Sequence, residues 1–287
     1  MILHPDYNSP SSLKAFMEEH NLAMQKKFGQ NFLVNESARN KLIDALDVKE
    51  ETVVWEVGPG LGCMTASLLE RGAMLTVFEI DHGFARLLPE FFCDYAENGK
   101  FTLVEGDVLK TWTGEKEKKG IPNRFFGNLP YNVAATIIAD TINKGIRFEK
   151  CVFTVQKEVA QRMTAKCGSA DYSSFSVLCQ WAYDIKNLID LAGGNFWPKP
   201  NVSSRAVVFT KKESFPGCDN PELFMKMLRG AFSLRRKTIK NNLLTLFPVD
   251  IVDSALNESG IPFNQRSEEL PLEKLLLLSD KINFFLK

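Results

Sequence analysis

The sequence lacks the paired ligands that most metal sites in proteins require. Its six cysteines are scattered without any Cys-x-x-Cys pair, and its three histidines, His4, His20 and His82, lie far from one another. Structural zinc sites bring such residues together at short spacings along the chain. We therefore expect buried, reduced thiols and no metal ion.

Long apolar runs are also missing. No uninterrupted stretch reaches the roughly 18 residues that a membrane span needs, and residues 1–10 are too polar for a signal peptide. We expect a cytoplasmic protein without a membrane segment. With 287 residues, the chain can form one large domain and a smaller one.

The chain has no net charge, because 35 basic residues balance 35 acidic ones. This balance argues against a general polyanion binder, but the charges are unevenly distributed. Residues 223–249 contain six lysines or arginines and no acidic residue. Four of these, Arg235, Arg236, Lys237 and Lys240, fall within about two turns of a predicted helix. They indicate either a basic binding surface or a solvated helix face.

What the sequence does contain is a buried-strand pattern that leads into a glycine-rich loop. An apolar run over 52–57 is followed by Gly58-Pro59-Gly60-Leu61-Gly62 and then by a predicted helix over 64–71. The glycines allow the backbone to turn sharply and to approach a ligand at the helix N-terminus. A second predicted strand, over 74–80, contains Glu79, about 20 residues after the first glycine, where Rossmann-like folds place an acid that bonds ribose hydroxyls. The pattern predicts a site for a nucleoside cofactor.

The spacing of the glycines distinguishes between two such cofactors. Dinucleotide sites use Gly-x-Gly-x-x-Gly to hold a pyrophosphate, whereas Gly58, Gly60 and Gly62 alternate. Glu56, just before them, would repel a pyrophosphate but attract the sulfonium or amino group of S-adenosylmethionine. The spacing favours this methyl donor over a nicotinamide cofactor. Asp107, after a third predicted strand over 101–104, either bonds the cofactor's adenine amine or caps a turn.

The tetrapeptide Asn128-Leu129-Pro130-Tyr131 follows another apolar run, at the end of a predicted strand where open α/β sheets bind ligands. The Asn128 side chain and the Leu129 carbonyl, held outward by the following proline, suit the two hydrogens of an exocyclic amine. The Tyr131 ring offers a face for a flipped base. The alternative is a proline turn with a buried tyrosine.

A second loop, over 195–202, is stiffened by two prolines and presents two aromatic rings. These rings belong to Phe196 and Trp197. Aromatic side chains in such a loop are usually part of a core. Beside a tyrosine that needs an opposing face, one of them could close a stacking clamp.

The remaining segments predict further strands and then helices only. In the first part of the chain, helices are predicted over 11–20 and from Asn35 to Leu46. One further helix begins at about residue 133, another follows residue 156 and ends at about residue 166, and a third lies over 173–181. The last predicted helices lie over 221–247, with a break near 230–233, over 249–259 and over 272–286. A fifth strand is predicted over 151–156 and closing strands over 185–191 and 205–210. The predicted loops lie over 25–33, 115–120 and 214–220. We place the domain boundary between residues 212 and 213.

In this order, the segments closely resemble the small-subunit (16S) ribosomal RNA adenine dimethyltransferase family, of the KsgA type. The resemblance runs from about residue 26 to residue 270. The matching stretches are Lys27–Leu33, Glu56–Gly62, Glu79–Asp81, Gly106–Asp107, Asn128–Asn132, Gln156–Val159, Phe196–Ser204 and Arg235–Thr238.

The resemblance implies an α/β fold, a Rossmann-like S-adenosylmethionine-dependent methyltransferase sheet with a small all-helical C-terminal domain. It implies cofactor contacts by Asn31, Leu33, Gly58, Glu79, Asp107 and Asn128, with Gly60 in the same glycine loop. It implies contacts with a flipped adenine by Asn128, Leu129, Tyr131 and Phe196, with Pro130 in the same motif. The RNA contacts that we expect are made by Lys26, Lys27, Arg235, Arg236, Lys237 and Lys240.

The implied activity is the transfer of two methyl groups to N6 of each of two adjacent adenines, in a hairpin near the 3′ end of small-subunit rRNA. The expected partner is this rRNA within the pre-30S subunit, and we expect a monomer. Two alternatives remain open: a large-subunit rRNA adenine methyltransferase that confers antibiotic resistance, and a non-catalytic RNA-binding assembly factor with the same fold. The long C-terminal part with its Arg-Arg-Lys-Thr argues against the first, and the intact Asn-Leu-Pro-Tyr motif argues for catalysis.

Overall fold

The computed structural model of the chain describes residues 4–25 and 29–287. Its strands are β1 (Phe32–Leu33), β2 (Val53–Val57), β3 (Met74–Glu79), β4 (Phe101–Glu105), β5 (Arg124–Asn128), β6 (Lys150–Gln156), β7 (Tyr183–Leu191), β8 (Phe196–Trp197) and β9 (Ser204–Lys211). Its helices are α1 (Pro10–Glu19), α2 (Glu36–Leu46), α3 (Cys63–Glu70), α4 (His82–Phe91), α5 (Cys93–Glu97), α6 (Val108–Lys119), α7 (Ala134–Asn143), α8 (Lys157–Met163), α9 (Ser174–Ala182), α10 (Pro221–Ala231), α11 (Ile239–Leu243), α12 (Val249–Glu258) and α13 (Leu272–Phe285).

The described residues divide into two compact units. The first comprises 1–141, 146–160 and 186–210, and the second comprises 142–145, 161–185 and 211–287. Residues 161–185 thus belong to the second unit, so the units do not follow a single cut at residue 212. After β9 the chain forms only helices, as the sequence predicts.

The sheet has seven strands among the described residues, in the order β4-β3-β2-β5-β6-β9-β7. β4, β3, β2, β5 and β6 run parallel, and β9 pairs antiparallel with β6. Strands of a parallel sheet are covered on both faces and therefore read as nearly continuous apolar runs. β2 follows this rule, since Val54, Trp55 and Val57 are buried. The predicted α/β class is confirmed.

Local signals specify helix α2 of the first unit, as predicted. Asn35 caps α2 by accepting a hydrogen bond from the Ala38 N–H at 2.9 Å. Leu42, Ile43 and Leu46 on its inner face are completely buried. The cap satisfies one of the free N–H groups that every helix start carries, and the apolar stripe attaches the helix to the core.

The predicted charged loop over 115–120 is wrong, because α6 continues to Lys119. Glu115 is buried on its inner face together with Trp112. Lys116, Lys118 and Lys119 lie in the last turn, where cations stabilise the negative end of the helix dipole. The charge run is therefore a helix C-terminus. The helix after β6 is also shorter than predicted and ends at Met163.

Two further predictions need correction. Phe32 and Leu33, assigned to a loop, form β1, which pairs antiparallel with Trp197 and Phe196 of β8. The cations at 235–237 lie on no helix, because α10 ends at Ala231 and α11 starts only after its N-cap, Thr238. They occupy the loop between these two helices.

The second unit packs its helices through apolar faces. Its core includes Phe224 and Met227 of α10, Leu256 of α12 and Leu278 and Ile282 of α13, all buried. None of the helices formed by the described residues is both long and apolar enough to cross a membrane. The described part of the chain also contains no group of three or more residues arranged to hold a metal ion.

Candidate functional site

A cavity of about 330 Å³ lies where β2, β3, β4 and β5 end, within the first unit. The loops that leave these four strands supply its walls, together with residues 29–33. All residues predicted to contact the cofactor line it: Asn31, Leu33, Gly58, Gly60, Glu79, Asp107 and Asn128. The parallel sheet brings them together because the carboxyl ends of its strands share one edge.

The glycine loop forms the cavity wall after β2. Gly58 and Gly60 have φ angles of +69° and +56°, which side chains with a Cβ rarely adopt. A Cβ on Gly60 would lie only 2.8 Å from Cε1 of Phe32, so this position has no space for a larger residue. The loop backbone is thus exposed to any ligand in the cavity.

Glu79 holds this loop in place. One of its carboxylate oxygens accepts from the Gly60 N–H at 3.0 Å, and the other accepts from the Asp81 N–H at 2.8 Å. The side chain is only 4% exposed. Burial raises its pKa to about 7, although both backbone donors favour the charged form.

Glu56 is a second buried acid in the cavity wall. Burial raises its pKa to about 8, while a 2.8 Å hydrogen bond from the Thr65 hydroxyl acts in the opposite direction. Among the described residues, no lysine or arginine lines the cavity. Two buried carboxyl groups without a cationic partner therefore make a site that suits a ligand with positive charge.

Asp107 caps a helix and also lies in the cavity wall, so its position is compatible with both roles considered for it. Its side chain caps α6 by accepting from the Leu109 N–H at 3.0 Å, and the residue also lines the cavity. Its contact with an adenine amine stays a prediction.

Sequence reasoning missed the apolar part of the cavity. Ile80, directly after Glu79, is 39% exposed, and Phe84, Val108 and Leu109 line the same space. These side chains provide flat apolar surface of the kind that an adenine ring needs. The available signal was an apolar residue between the two acids of Glu79-Ile80-Asp81.

The Asn128 side chain has a defined orientation. Its amide nitrogen donates to the Asn31 carbonyl oxygen at 2.8 Å. Only the nitrogen of the amide donates, so this bond leaves the side-chain oxygen as an acceptor. A polar loop and a strand end, far apart in the chain, thus meet at this residue.

The next two residues complete an acceptor pair. The Leu129 N–H donates to the Thr154 carbonyl at 3.1 Å, and the Pro130 carbonyl accepts from Val133 and Ala134 at the start of α7. No donor among the described residues bonds the Leu129 carbonyl. The end of β5 and the turn after it thus hold two acceptors without a donor in the described part of the chain, the Asn128 side-chain oxygen and the Leu129 carbonyl, which we call the acceptor pair, and Asn128 lines the cavity.

The two predicted stacking residues are in different environments. Tyr131 is half-buried, and its hydroxyl lies 2.5 Å from the Ser204 hydroxyl oxygen. Phe196 is only 4% exposed, faces Leu33 across the β1–β8 pair and packs into the core. Trp197 stacks on Phe32 with 6.2 Å between ring centroids. Tyr131, which follows the acceptor pair in the chain, is thus partly exposed, whereas Phe196 lies in the core.

Hydrogen bonds join the N-terminal part of the chain to two of the segments around the cavity, which the sequence did not predict. The side-chain amides of Gln25 and Gln30 donate to Asp81 at 3.1 and 2.8 Å. The Tyr7 hydroxyl donates to the carbonyl of Leu61, in the glycine loop, at 2.8 Å. Lys26 and Lys27, predicted to contact RNA, lie outside the described residues.

The predicted basic cluster has mixed surroundings in the second unit. Arg235, Arg236 and Lys237 are exposed, and Arg235 also donates to the Ala170 carbonyl. Lys240 is 2.6 Å from an Asp253 oxygen, so part of its charge is compensated within the unit. The three loop residues are therefore the better candidates for contacts with phosphates.

Comparisons with known proteins agree with this geometry. The family model described as "Ribosomal RNA adenine dimethylase" matches residues 21–283. The chain is similar to "Ribosomal RNA small subunit methyltransferase A" of Treponema denticola, with 48% identity over 97% of this chain and 96% of that protein. Its identity to the protein of the same name from Treponema pallidum is 41%, over 98% of this chain and 99% of that protein.

A solved structure supports the fold. The crystal structure of a dimethyladenosine transferase from Plasmodium falciparum aligns with a TM-score of 0.72 and 24% identity, over 85% of this chain and 94% of that chain. The cavity at the strand ends, the acceptor pair beside it and the match over nearly the whole sequence agree with one another. This chain belongs to the ribosomal RNA adenine dimethylase family.

Proposed function

We propose that this chain methylates N6 of two adjacent adenines in a hairpin near the 3′ end of small-subunit rRNA, within the pre-30S subunit. The observation that carries the proposal is the acceptor pair of Asn128 and Leu129, of which Asn128 lines an acidic cavity. The names of the relatives refer to the small subunit, which favours this substrate over large-subunit rRNA. As a member of its family, the chain is an S-adenosylmethionine-dependent methyltransferase.

The cavity residues fit S-adenosylmethionine, which carries a methyl group activated by a sulfonium centre. Glu79 is positioned for the ribose hydroxyls, and its bond to the Gly60 N–H keeps the glycine loop close to the ligand. Ile80, Val108 and Leu109 offer apolar surface for the adenine ring. Glu56 and Glu79 compensate positive charge, since both carboxyl groups are buried without a cationic partner in the cavity wall.

The acceptor pair orients the target amine. The Asn128 side-chain oxygen and the Leu129 carbonyl each accept one hydrogen of adenine N6. These two bonds favour a pyramidal nitrogen whose lone pair points away from the ring plane and toward the cavity. Orientation of this kind contributes up to about 7–11 kcal/mol in well-arranged reactions.

No strong general base is needed for this step. The proton on N6 becomes acidic only after the nitrogen has gained a methyl group, so solvent accepts it then. The two acceptors hold the amine during attack and need not remove its proton. Neither group has to change its protonation state, which is consistent with an amide and a backbone carbonyl in these positions.

Tyr131 is the residue that we assign as the stacking face, because it is only half-buried. Its ring follows the acceptor pair directly, whereas Phe196 is packed in the core. A role for Phe196 as the opposing face remains a prediction from the family pattern, and it requires the ring to leave the core.

RNA contacts outside the site are assigned to residues 213–287, with the loop of Arg235, Arg236 and Lys237 as the main basic feature. This arrangement separates base recognition at the cavity from phosphate contacts in the helical part. The proposal also includes a monomer that acts in the cytoplasm, where ribosomal subunits are assembled.

The experiment that tests the proposal maps methyl groups on RNA. Purified protein is incubated with labelled S-adenosylmethionine and with unmethylated small subunits or, separately, large subunits. We expect label at two adjacent adenines near the 3′ end of small-subunit rRNA. Label in large-subunit rRNA, or no label in either RNA, would refute the proposal.

A further inference from the structure

Ser204 lies at a junction of the adenine site that the proposed mechanism does not use. It is the first residue of β9 and faces Gln156 at the carboxyl end of β6. Its side chain is 0% exposed. It also ends the loop that follows Phe196 and Trp197, so it joins the two loops that carry the predicted stacking residues.

The Ser204 hydroxyl makes one side-chain hydrogen bond among the described residues. The bond joins its oxygen to the Tyr131 phenol oxygen, and the two atoms are 2.5 Å apart. A buried hydroxyl without a partner is costly, so this short bond couples the conformations of both side chains.

Packing alone leaves the Tyr131 ring incompletely held. Tyr131 lies in the turn that follows Pro130, ahead of α7, and its side chain is half-buried. The bond to Ser204 attaches the far end of the ring to β9 of the sheet.

We infer that Ser204 is a positioning residue that holds the Tyr131 ring at the angle at which the target adenine stacks. The inference rests on the proposed function. Its consequence is that the base lies at a fixed distance from the Asn128 and Leu129 acceptors. Small displacements of a bound substrate have large effects on rate, because the reacting atoms must be aligned.

The inference predicts a specific kinetic pattern for Ser204→Ala. One lost hydrogen bond corresponds to a fall in kcat of about three- to ten-fold. KM for S-adenosylmethionine should not change, because Ser204 does not line the cofactor cavity. A purely structural role would instead lower the melting temperature and reduce the apparent kcat only in proportion to the unfolded fraction, so the rate per folded molecule would stay at the wild-type value.

The test is a double-variant cycle on methylation of small subunits. Tyr131→Phe removes the other hydroxyl, so it should lower kcat by a similar factor, and the double variant should be no slower than either single variant. Ser203→Ala is the matched control, because Ser203 is exposed and only its backbone carbonyl is bonded, to the Lys157 N–H. This control should retain the wild-type rate.

Several results would overturn the inference. Wild-type kcat in Ser204→Ala, or a double variant whose loss equals the product of the single losses, would show that the two hydroxyls act independently. If Ser204→Ala does not fold, Ser204→Cys keeps the shape with a weaker donor, and wild-type kcat in that variant has the same meaning. An inactive wild-type protein would refute the proposed function itself, whereas an active wild type with neutral Ser204 variants refutes only this role.

Discussion

Replacement of Glu79 by glutamine tests the cofactor site most directly. The carboxylate of Glu79 is buried, and its two oxygens accept from the Gly60 and Asp81 N–H groups at 3.0 and 2.8 Å. Glutamine has nearly the same shape but only one side-chain oxygen. Its amide nitrogen must therefore face one of the two N–H donors, and one bond is lost.

The proposed ribose contact sets the expected magnitude. A hydrogen bond from a ribose hydroxyl to a charged carboxylate contributes about 1.5–3 kcal/mol, so loss of this charged acceptor should raise the dissociation constant for S-adenosylmethionine about 10- to 150-fold. Loss of the negative charge acts in the same direction, because the ligand is cationic at the sulfonium. Since burial raises the pKa of Glu79 to about 7, the comparison is best made at pH 8, where the carboxyl group is mainly ionised.

Isothermal titration calorimetry with S-adenosylmethionine measures this change. Glu105→Gln is the matched control, because Glu105 faces Glu79 across the β3–β4 pair but is exposed and does not line the cavity. The control should bind like the wild type. Unchanged affinity in a folded Glu79→Gln variant would remove Glu79 from the cofactor site.

Three further predictions concern the amine, the RNA and pH. Asn128→Ala should abolish methyl transfer while gel-shift assays show nearly unchanged RNA binding, and a rate close to wild type would contradict its role. Replacement of Arg235, Arg236 and Lys237 by glutamine should make RNA binding less dependent on salt. The slope of the logarithm of the RNA association constant against the logarithm of the salt concentration should fall in magnitude by about 2–3, at roughly 0.7–0.9 per phosphate contact. An unchanged slope with a lower melting temperature would indicate that these residues make contacts within the protein instead. Burial raises the pKa of Glu56 from 4.5 to about 8. Between these two pH values the folded protein keeps a proton on Glu56 that the unfolded chain releases. The free energy of unfolding of the ligand-free protein should therefore fall as pH rises through this range. Glu56→Gln should flatten this pH dependence in thermal unfolding, and an equally steep profile would show that Glu56 is not its source.

The sequence by itself determined the features that depend on neighbouring residues. An N-cap at Asn35 with apolar residues at helical spacing specified α2, because cap and stripe act within a few turns. The apolar run into Gly58–Gly62, followed by Glu79, located the cavity at the strand ends, since the carboxyl ends of parallel strands meet at one edge. Local chemistry was sufficient in both cases.

Charge patterns were less informative, because the meaning of a charge depends on what surrounds it. The run over 115–120 is a helix C-terminus whose cations complement the helix dipole, although the same composition is typical of loops. Arg235, Arg236 and Lys237 show the opposite error, since their spacing suited a helix but the chain forms a loop there.

Only the tertiary structure decided which distant groups meet at the site. Asn128 bonds the Asn31 carbonyl, 97 residues away in sequence, and Tyr131 bonds Ser204 across 73 residues. The burial of Phe196 likewise depends on the pairing of β1 with β8. The sequence of residues 25–33 has no alternating pattern that would predict a strand there. Such contacts are absent from local patterns because each side chain is compatible with many partners, and the packing of the whole sheet selects one of them.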